Sequence, residues 1–168
     1  MILRPLVLSD EVEAVQGHSE LANDSFEYLL EYSEGMPWSE YLEILKNEST
    51  GTNLKEGRVP ATFLIADSEG KLVGRTSIRH ELNDFLFSFG GHIGYGVRPS
   101  FRRQGFATEI LRQSLTYIHG LGVTEVLVTC DEDNLGSIKV IESQGGVLEN
   151  KVEFEGILKR RYWITKDN

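Results

Sequence analysis

The sequence predicts an α+β fold in three layers: a mixed, mostly antiparallel central sheet of about seven strands with helices on both faces. Three observations carry this. Apolar residues recur at helical spacing in some stretches and alternate, or run together over a few residues, in others. Two strand-like runs, ATFLIAD and LVGRTSIRH, are joined by the turn SEGK as in a hairpin. The elements then follow as strand, helices, three strands, helix, strand, helix and two strands. At 168 residues the chain is long enough to bury a core without disulfides or metal. No repeat, linker or low-complexity tract divides it, so residues 1–168 are expected to form a single domain.

Residues 2–8 (ILRPLVL) read as the first strand, with Pro5 suited to an edge. Ser9 is a candidate N-cap for a helix over DEVEAVQGHSEL, whose acidic first turn complements the helix dipole. Between 25 and 54, two short helices are expected: one with Phe26, Leu29 and Leu30 on a face, the other with Tyr41, Leu42 and Leu45 after Pro37 and Trp38. The hairpin over 61–67 and 72–80 follows, then a polar and aromatic loop, 81–91, and a strand over 92–97. After Gly105, residues Ala107, Ile110, Leu111, Leu115 and Ile118 keep helical spacing to Gly120 or Gly122. EVLVTC (125–130) reads as a buried strand, DEDN caps a helix over SIKVIESQ, and VLENKVEF and ILKRRYWIT alternate as two closing strands.

The formal charge is −9, and all of the surplus lies in residues 1–56, which hold 12 acidic and 3 basic side chains. This acidic third is either a solvated helix face or a negative rim that attracts a cationic substrate. A nucleic-acid partner needs a basic stripe and is disfavoured. No apolar run approaches the ~18 residues of a membrane span, so no membrane partner is expected. Cys130 is the only cysteine, which excludes an internal disulfide and, with no His or Cys spacing to suit one, a metal cluster. The expected location is the cytoplasm.

Against this acidic background, GYGVRPSFRRQGFATEIL (94–111) gathers Arg98, Arg102 and Arg103 just before a helix N-terminus. The first N–H groups of a helix lack intrahelical partners and carry part of the dipole, and Gly105 and Ala107 let a ligand approach the backbone. The combination suits a pyrophosphate. It matches neither the G-x-x-x-x-G-K-S/T loop nor the G-x-G-x-x-G turn.

Arg102-Arg103-Gln104-Gly105-Phe106-Ala107 resembles the Arg/Gln-x-x-Gly-x-Gly/Ala signature of the GNAT superfamily of acyl-CoA-dependent N-acyltransferases. IGYGVRP before it resembles that family's fourth strand, and VLVTCDEDNLGSIKVIESQGG its fifth strand and following helix. The resemblance covers essentially the whole chain. It implies transfer of an acetyl group from acetyl-CoA, as cosubstrate and with no metal, to a primary amine on a small molecule or peptide, by direct attack in a ternary complex. A non-catalytic acyl-CoA sensor is the alternative, and a homodimer is allowed. By position, the backbone around Val97 and Arg98 would pair with the pantetheine arm. The turn from Arg103 to Thr108 (Arg103, Gln104, Gly105, Phe106, Ala107, Thr108) would hold the pyrophosphate through backbone N–H groups, with Arg102 adding charge to the anion site, and Asn134 and Ser137 would contact the CoA side. For Asn134 an N-cap role is physically sufficient.

Two catalytic positions stay open. The family's frequent tyrosine after Asn134 is matched here by Ile141, so the acid that protonates the departing thiolate is missing. For the base, His92 and Tyr95 are the candidates, beside a water relay organised by Glu81, Asp84 or an acidic residue of the first third. Strand parity favours Tyr95, which shares a face with Val97; His92 reaches that face only through a bulge. Cys130 is expected in the core. His18 and His119 are expected on helix surfaces, and Phe85, Phe87 and Phe89 at a strand edge, a dimer contact or an acceptor cleft.

Overall fold

The structure is a computed structural model that describes residues 1–22, 24 and 26–166. The elements are β1 (Ile2–Arg4), α1 (Glu11–Ala22), α2 (Trp38–Thr50), β2 (Ala61–Ser68), β3 (Lys71–Arg79), β4 (Ile93–Val97), α3 (Phe106–Gly120), β5 (Glu125–Asp131), α4 (Leu135–Ser143), β6 (Val147–Phe154) and β7 (Ile157–Thr165). The seven expected strands are therefore present, and β1 is shorter than its apolar run.

Two local expectations are corrected. Ser9 makes no capping bond; a short 3-10 turn, Leu8–Asp10, leads into α1. There the Asp10 carboxylate accepts the Val7 N–H at 2.8 Å and pairs with Arg4 at 2.7 Å. Among the described residues of 25–54, α2 is the one α-helix. Phe26 to Pro37 stays irregular because its carbonyls serve elsewhere: Arg75 donates to the C=O groups of Glu27 and Tyr28, at 2.6 and 3.1 Å. A helix needs those carbonyls for its own ladder.

The strands form two wholly antiparallel sheets, β1-β2-β3-β4 and β5-β7-β6. Alternation on β2 divides the core. Phe63 and Ile65 pack under α1 and α2 with Leu21, Tyr28, Tyr41 and Leu45. Leu64, with Ile78 and Ile93, packs with Leu111, Leu115 and Ile118 of α3 and with Val126 and Val128 of β5. Each such side chain contributes about 1.5–3 kcal/mol by leaving water, and helices cover both faces as expected.

The two sheets meet at His92. Its C=O accepts from Arg79 N–H of β3 at 2.7 Å, and its N–H donates to Leu127 C=O of β5 at 2.7 Å. Its Nδ1 accepts the Leu127 N–H at 2.9 Å. Beyond this stitch, among the described residues, no ladder joins β4 to β5, and the edge of β4 that faces away from β3 is left without a strand partner. The 81–91 segment is not extended. Asn83 starts a helical turn and residues Leu86–Gly90 form a π turn. It folds over the second sheet, with Phe89 and Phe85 against Phe154 and Phe87 against Trp163.

Candidate active site

The turn between β4 and α3 is built to leave donors free. Arg103 and Gly105 both take positive φ, 60° and 83°, in the left-handed region that Gly105 enters without steric cost. The reversal aims consecutive N–H groups outward. Among the described residues, no hydrogen bond engages the N–H groups of residues 103–108; the first helical bond is Glu109 N–H to Gly105 C=O at 3.1 Å. Six free donors at the positive end of a 15-residue helix make an anion site.

A cavity of ≈ 730 Å³ starts at this turn and continues along β4. Tyr95, Gly96 and Val97 line one wall; Asn134, Gly136, Ser137 and Val140 of the α4 start line the other; Leu21, Asp24 and Phe26 close one side. The β3–β4 register pairs Gly74 with Val97 and Thr76 with Tyr95. Arg98 N–H reaches Val73 C=O at 2.9 Å, so bonds to β3 are made by the even-numbered residues of β4. The N–H and C=O of Tyr95 and Val97 consequently point along the free edge, toward the gap. Nδ2 and Oδ1 of Asn134 stand at the far wall, where Oδ1 caps α4 by accepting Ser137 N–H at 3.0 Å.

The three clustered arginines separate. Arg98 turns away from the groove: Nε and Nη2 bind both oxygens of Glu20 at 2.8 Å, and Nη1 donates to Leu72 C=O at 2.9 Å and to Glu13 at 3.2 Å. Its backbone is equally committed, since its C=O accepts Phe101 N–H at 2.9 Å. Arg98 is therefore withdrawn from the expected cofactor contacts. Arg102 links Asp24 at 2.5 Å to the Val97 carbonyl at 3.2 Å, bridging the groove's rim. Arg103 is exposed and has no ion partner among the described residues. The Gln104 amide donates to Ser100 C=O at 3.2 Å.

Tyr95 lines the cavity wall, and its hydroxyl is buried with Ser137 as its polar neighbour but without a bond of full hydrogen-bond geometry among the described residues. Burial raises its pKa far above the usual tyrosine range, so it stays protonated. His92 is buried, and burial, with the charge of Arg79 adding to it, lowers its pKa to about 4 despite the Leu127 hydrogen bond. Since Nδ1 accepts from Leu127, the neutral ring carries its proton on Nε2 and presents no free basic nitrogen. Ile141 is fully buried in the core, as is Cys130 nearly so, and burial pushes the Cys130 thiol up to about 11. His18 is half-buried rather than on the surface, its Nδ1 accepting Leu29 N–H at 3.0 Å. Among the described residues no three metal-ligating side chains gather, and no helix is long and apolar enough to cross a membrane.

The family model for the acetyltransferase (GNAT) domain matches residues 1–147. The chain belongs to the GNAT acetyltransferase family. Solved structures agree on the fold. The ribosomal-protein-S5-alanine acetyltransferase of Vibrio fischeri superposes with a TM-score of 0.73 at 16% identity, over 99% of this chain and 93% of that one. Mycobacterium smegmatis RimJ, in complex with CoA-disulfide, gives 0.70 at 21% identity, over 97% and 80%. Salmonella typhimurium yncA, with its cofactor acetyl-CoA, gives 0.64 at 13% identity, over 99% and 94%. A search among curated proteins returns no match. The GNAT chain described here shares with these the whole architecture, while Asp24, Leu21 and Phe26 are groove residues that its sequence did not flag. They lie on an irregular segment, where no period marks the inward side.

Proposed function

We propose that this GNAT acetyltransferase, acting as one domain over residues 1–168, moves an acetyl group from acetyl-CoA to a primary amine by direct attack within a ternary complex. The observation that carries the reading is the continuity of free backbone donors, from residues 103–108 at the head of α3 to the unpaired edge of β4. The first set suits a pyrophosphate and the second an amide-bearing arm, so the groove fits CoA from end to end. Acetyl-CoA supplies the thioester. The N–H groups of 103–108, with Arg103 beside them, hold phosphate oxygens. Tyr95 receives the arm through its backbone N–H and C=O and Val97 through its N–H, its carbonyl being held by Arg102, and Asn134 and Ser137 border the arm.

Positioning alone accounts for several kcal/mol of such a reaction. The chain adds the Tyr95 hydroxyl, a buried donor beside Ser137 in the groove wall, as the candidate for the role that Ile141 cannot fill. Because its pKa is raised, Tyr95 acts by donating a hydrogen bond to charge that develops on the reacting thioester, and keeps its proton. His92 serves as the stitch between the sheets; the amine loses its proton to water. The single cysteine suits a cytoplasmic setting.

The reading is tested by incubating the protein with acetyl-CoA and a panel of neutral, cationic and anionic amines, following thiol release and the mass of the amine. Release of CoA with gain of one acetyl group on an amine is expected. Thermal stabilisation by acetyl-CoA with no thiol released on any amine would instead support a sensor.

A further inference from the structure

Arg79 N–H donates to the His92 carbonyl at 2.7 Å one step beyond Ile78–Ile93, the last pair of the β3–β4 ladder, while His92 itself is a bend residue whose N–H turns to Leu127. The His92 ring lies within reach of the Arg79 charge, which helps to lower its pKa. The ladder pairs Arg75 with Gly96 and Ser77 with Gly94, so Arg79, two residues further along β3, shares the face of Gly94 and Gly96, away from Tyr95 and Val97. With glycine at both positions the sheet is only a backbone thick there. The Arg79 guanidinium lies on Gly94, its Nη1 3.1 Å from where a Cβ would stand, and the Phe26 ring covers Gly96, with Cε1 2.5 Å from where a Cβ there would stand. Gly96 and Phe26 also line the groove. This face thus borders the reacting region from the side away from α3 and α4, the side left for the acceptor.

Both residues are donors without acceptors. Among the described residues, the Arg79 guanidinium has no hydrogen-bond or ion-pair partner, although burial is the main influence on it and the residue keeps some exposed surface. The His92 ring, with Nδ1 occupied by Leu127, offers Nε2–H, which likewise has none. Beneath them the buried guanidinium of Arg75 donates only to backbone carbonyls, of Tyr28, Gly94 and Glu27. Two guanidiniums and an imidazole N–H therefore gather with no carboxylate hydrogen-bonded to any of them; Glu48, the carboxylate whose charge reaches Arg79, is paired with Arg58, and Glu27 reaches Arg75 only at a distance. Burial, and the neighbouring positive charge of Arg79 for Arg75 and of Arg58 for Arg79, hold both pKa values down at about 10. Half of the acidic residues that were expected to draw a cation are engaged elsewhere: Asp10 on Arg4, Glu13 and Glu20 on Arg98, Asp24 on Arg102, Glu31 and Glu48 on Arg58.

We propose that Arg79 and His92 bind an oxyanion of the acceptor, which makes the substrate class an amine that also carries a carboxylate or phosphate, rather than a polycation. The inference rests on the acetyl-transfer reading and deepens it. An amine of this kind enters with its own counter-charge, where a bare ammonium would be repelled by Arg75 and Arg79.

The test uses matched acceptors with acetyl-CoA: amino acids and dipeptides with a free carboxylate, their amides, and aminoalkyl phosphonates. The carboxylates or the phosphonates are expected to exceed the amides by about tenfold or more in kcat/KM, as one or two charge-assisted hydrogen bonds imply; which of the two leads identifies the oxyanion. In Arg79→Gln that preference collapses through KM for the acceptor, while KM for acetyl-CoA stays within about twofold. His92→Asn keeps an acceptor for Leu127 N–H and removes only Nε2–H, so it weakens the preference in the same direction. If these variants do not fold, calorimetry on the native protein with CoA reads the site directly: N-acetylglycine binds and N-acetylglycinamide does not. Equal use of acid and amide, equal binding of the two products, or a preference for cationic amines overturns the oxyanion site. Failure of acetyl-CoA to bind at all strikes the acetyl-transfer reading instead, so the two failures are distinguishable.

Discussion

Tyr95 is where one side chain carries the most chemical weight. A hydroxyl buried without a well-formed hydrogen bond costs about 1–3 kcal/mol, and on the proposed mechanism the position tolerates this because charge develops in the groove beside it. Tyr95→Phe removes the donor and leaves the ring, so kcat should fall about 10²-fold, the effect of losing one preorganised donor. Acetyl-CoA affinity, measured calorimetrically, should be retained; a kcat within twofold of the native value would remove Tyr95 from the mechanism. His92 makes a stability prediction with a definite sign. Its folded pKa, about 4, lies below the ordinary value of 6.5. Between those limits the unfolded chain binds a proton that the folded chain refuses, so stability falls as pH drops from 6.5 toward 4, by about 3 kcal/mol in all. Asp10 and Glu20, whose pKa values arginine partners lower, add their own losses at the acid end as they too protonate. Comparing urea unfolding of the native protein and His92→Asn across this range isolates the histidine: the variant should show the shallower slope.

At the scale of elements, α1 is joined to β4 by a device spread over one helix face. Glu13, Gly17 and Glu20 follow one another at i, i+4 and i+7, and the Arg98 side chain passes over Gly17 to reach both carboxylates. A Cβ at Gly17 would stand 2.9 Å from Tyr28 Cε1 and 3.1 Å from Arg98 Cδ. Gly17→Ala gains about 1 kcal/mol of helix propensity but crowds the joint, a fault that costs about 1–3 kcal/mol. Net destabilisation is expected, read as a lowered denaturation midpoint; a stabilised variant would mean the joint is loose. The spacing was present in the sequence, yet nothing there tells which face of α1 meets β4, and so the partners of the Arg98 side chain were not readable. The α3 turn was legible for the opposite reason. Its properties come from the local backbone, where Gly105 at positive φ and an adjacent helix N-terminus suffice to free six donors. The 26–37 segment misled because its apolar spacing suits a helix, while the carbonyls that would sustain one are held by Arg75, a residue nearly 50 positions away.

For the whole molecule, alternation and helical period made the strands, the helices and their order readable, since each reports local burial. The division of seven strands into two sheets, stitched at His92, was not readable, because pairing depends on register between distant segments. The same limit hid the Arg79–His92 pair: two residues 13 positions apart become neighbours only once β3 and β4 are aligned. Charge followed that pattern too. The acidic surplus of the first third was visible in composition, but its main use is to neutralise Arg4, Arg58, Arg98 and Arg102. What the assembled fold leaves open is a groove that begins at six free N–H groups and ends on a bare strand edge. Calorimetric titration of acetyl-CoA into the native protein and into Gly105→Asp tests that claim most directly. Saturable one-site binding to the native protein is predicted, weakened by about tenfold or more when a carboxylate is set among the phosphate-facing donors; absence of binding to the native protein, or equal affinity in the two, would contradict it.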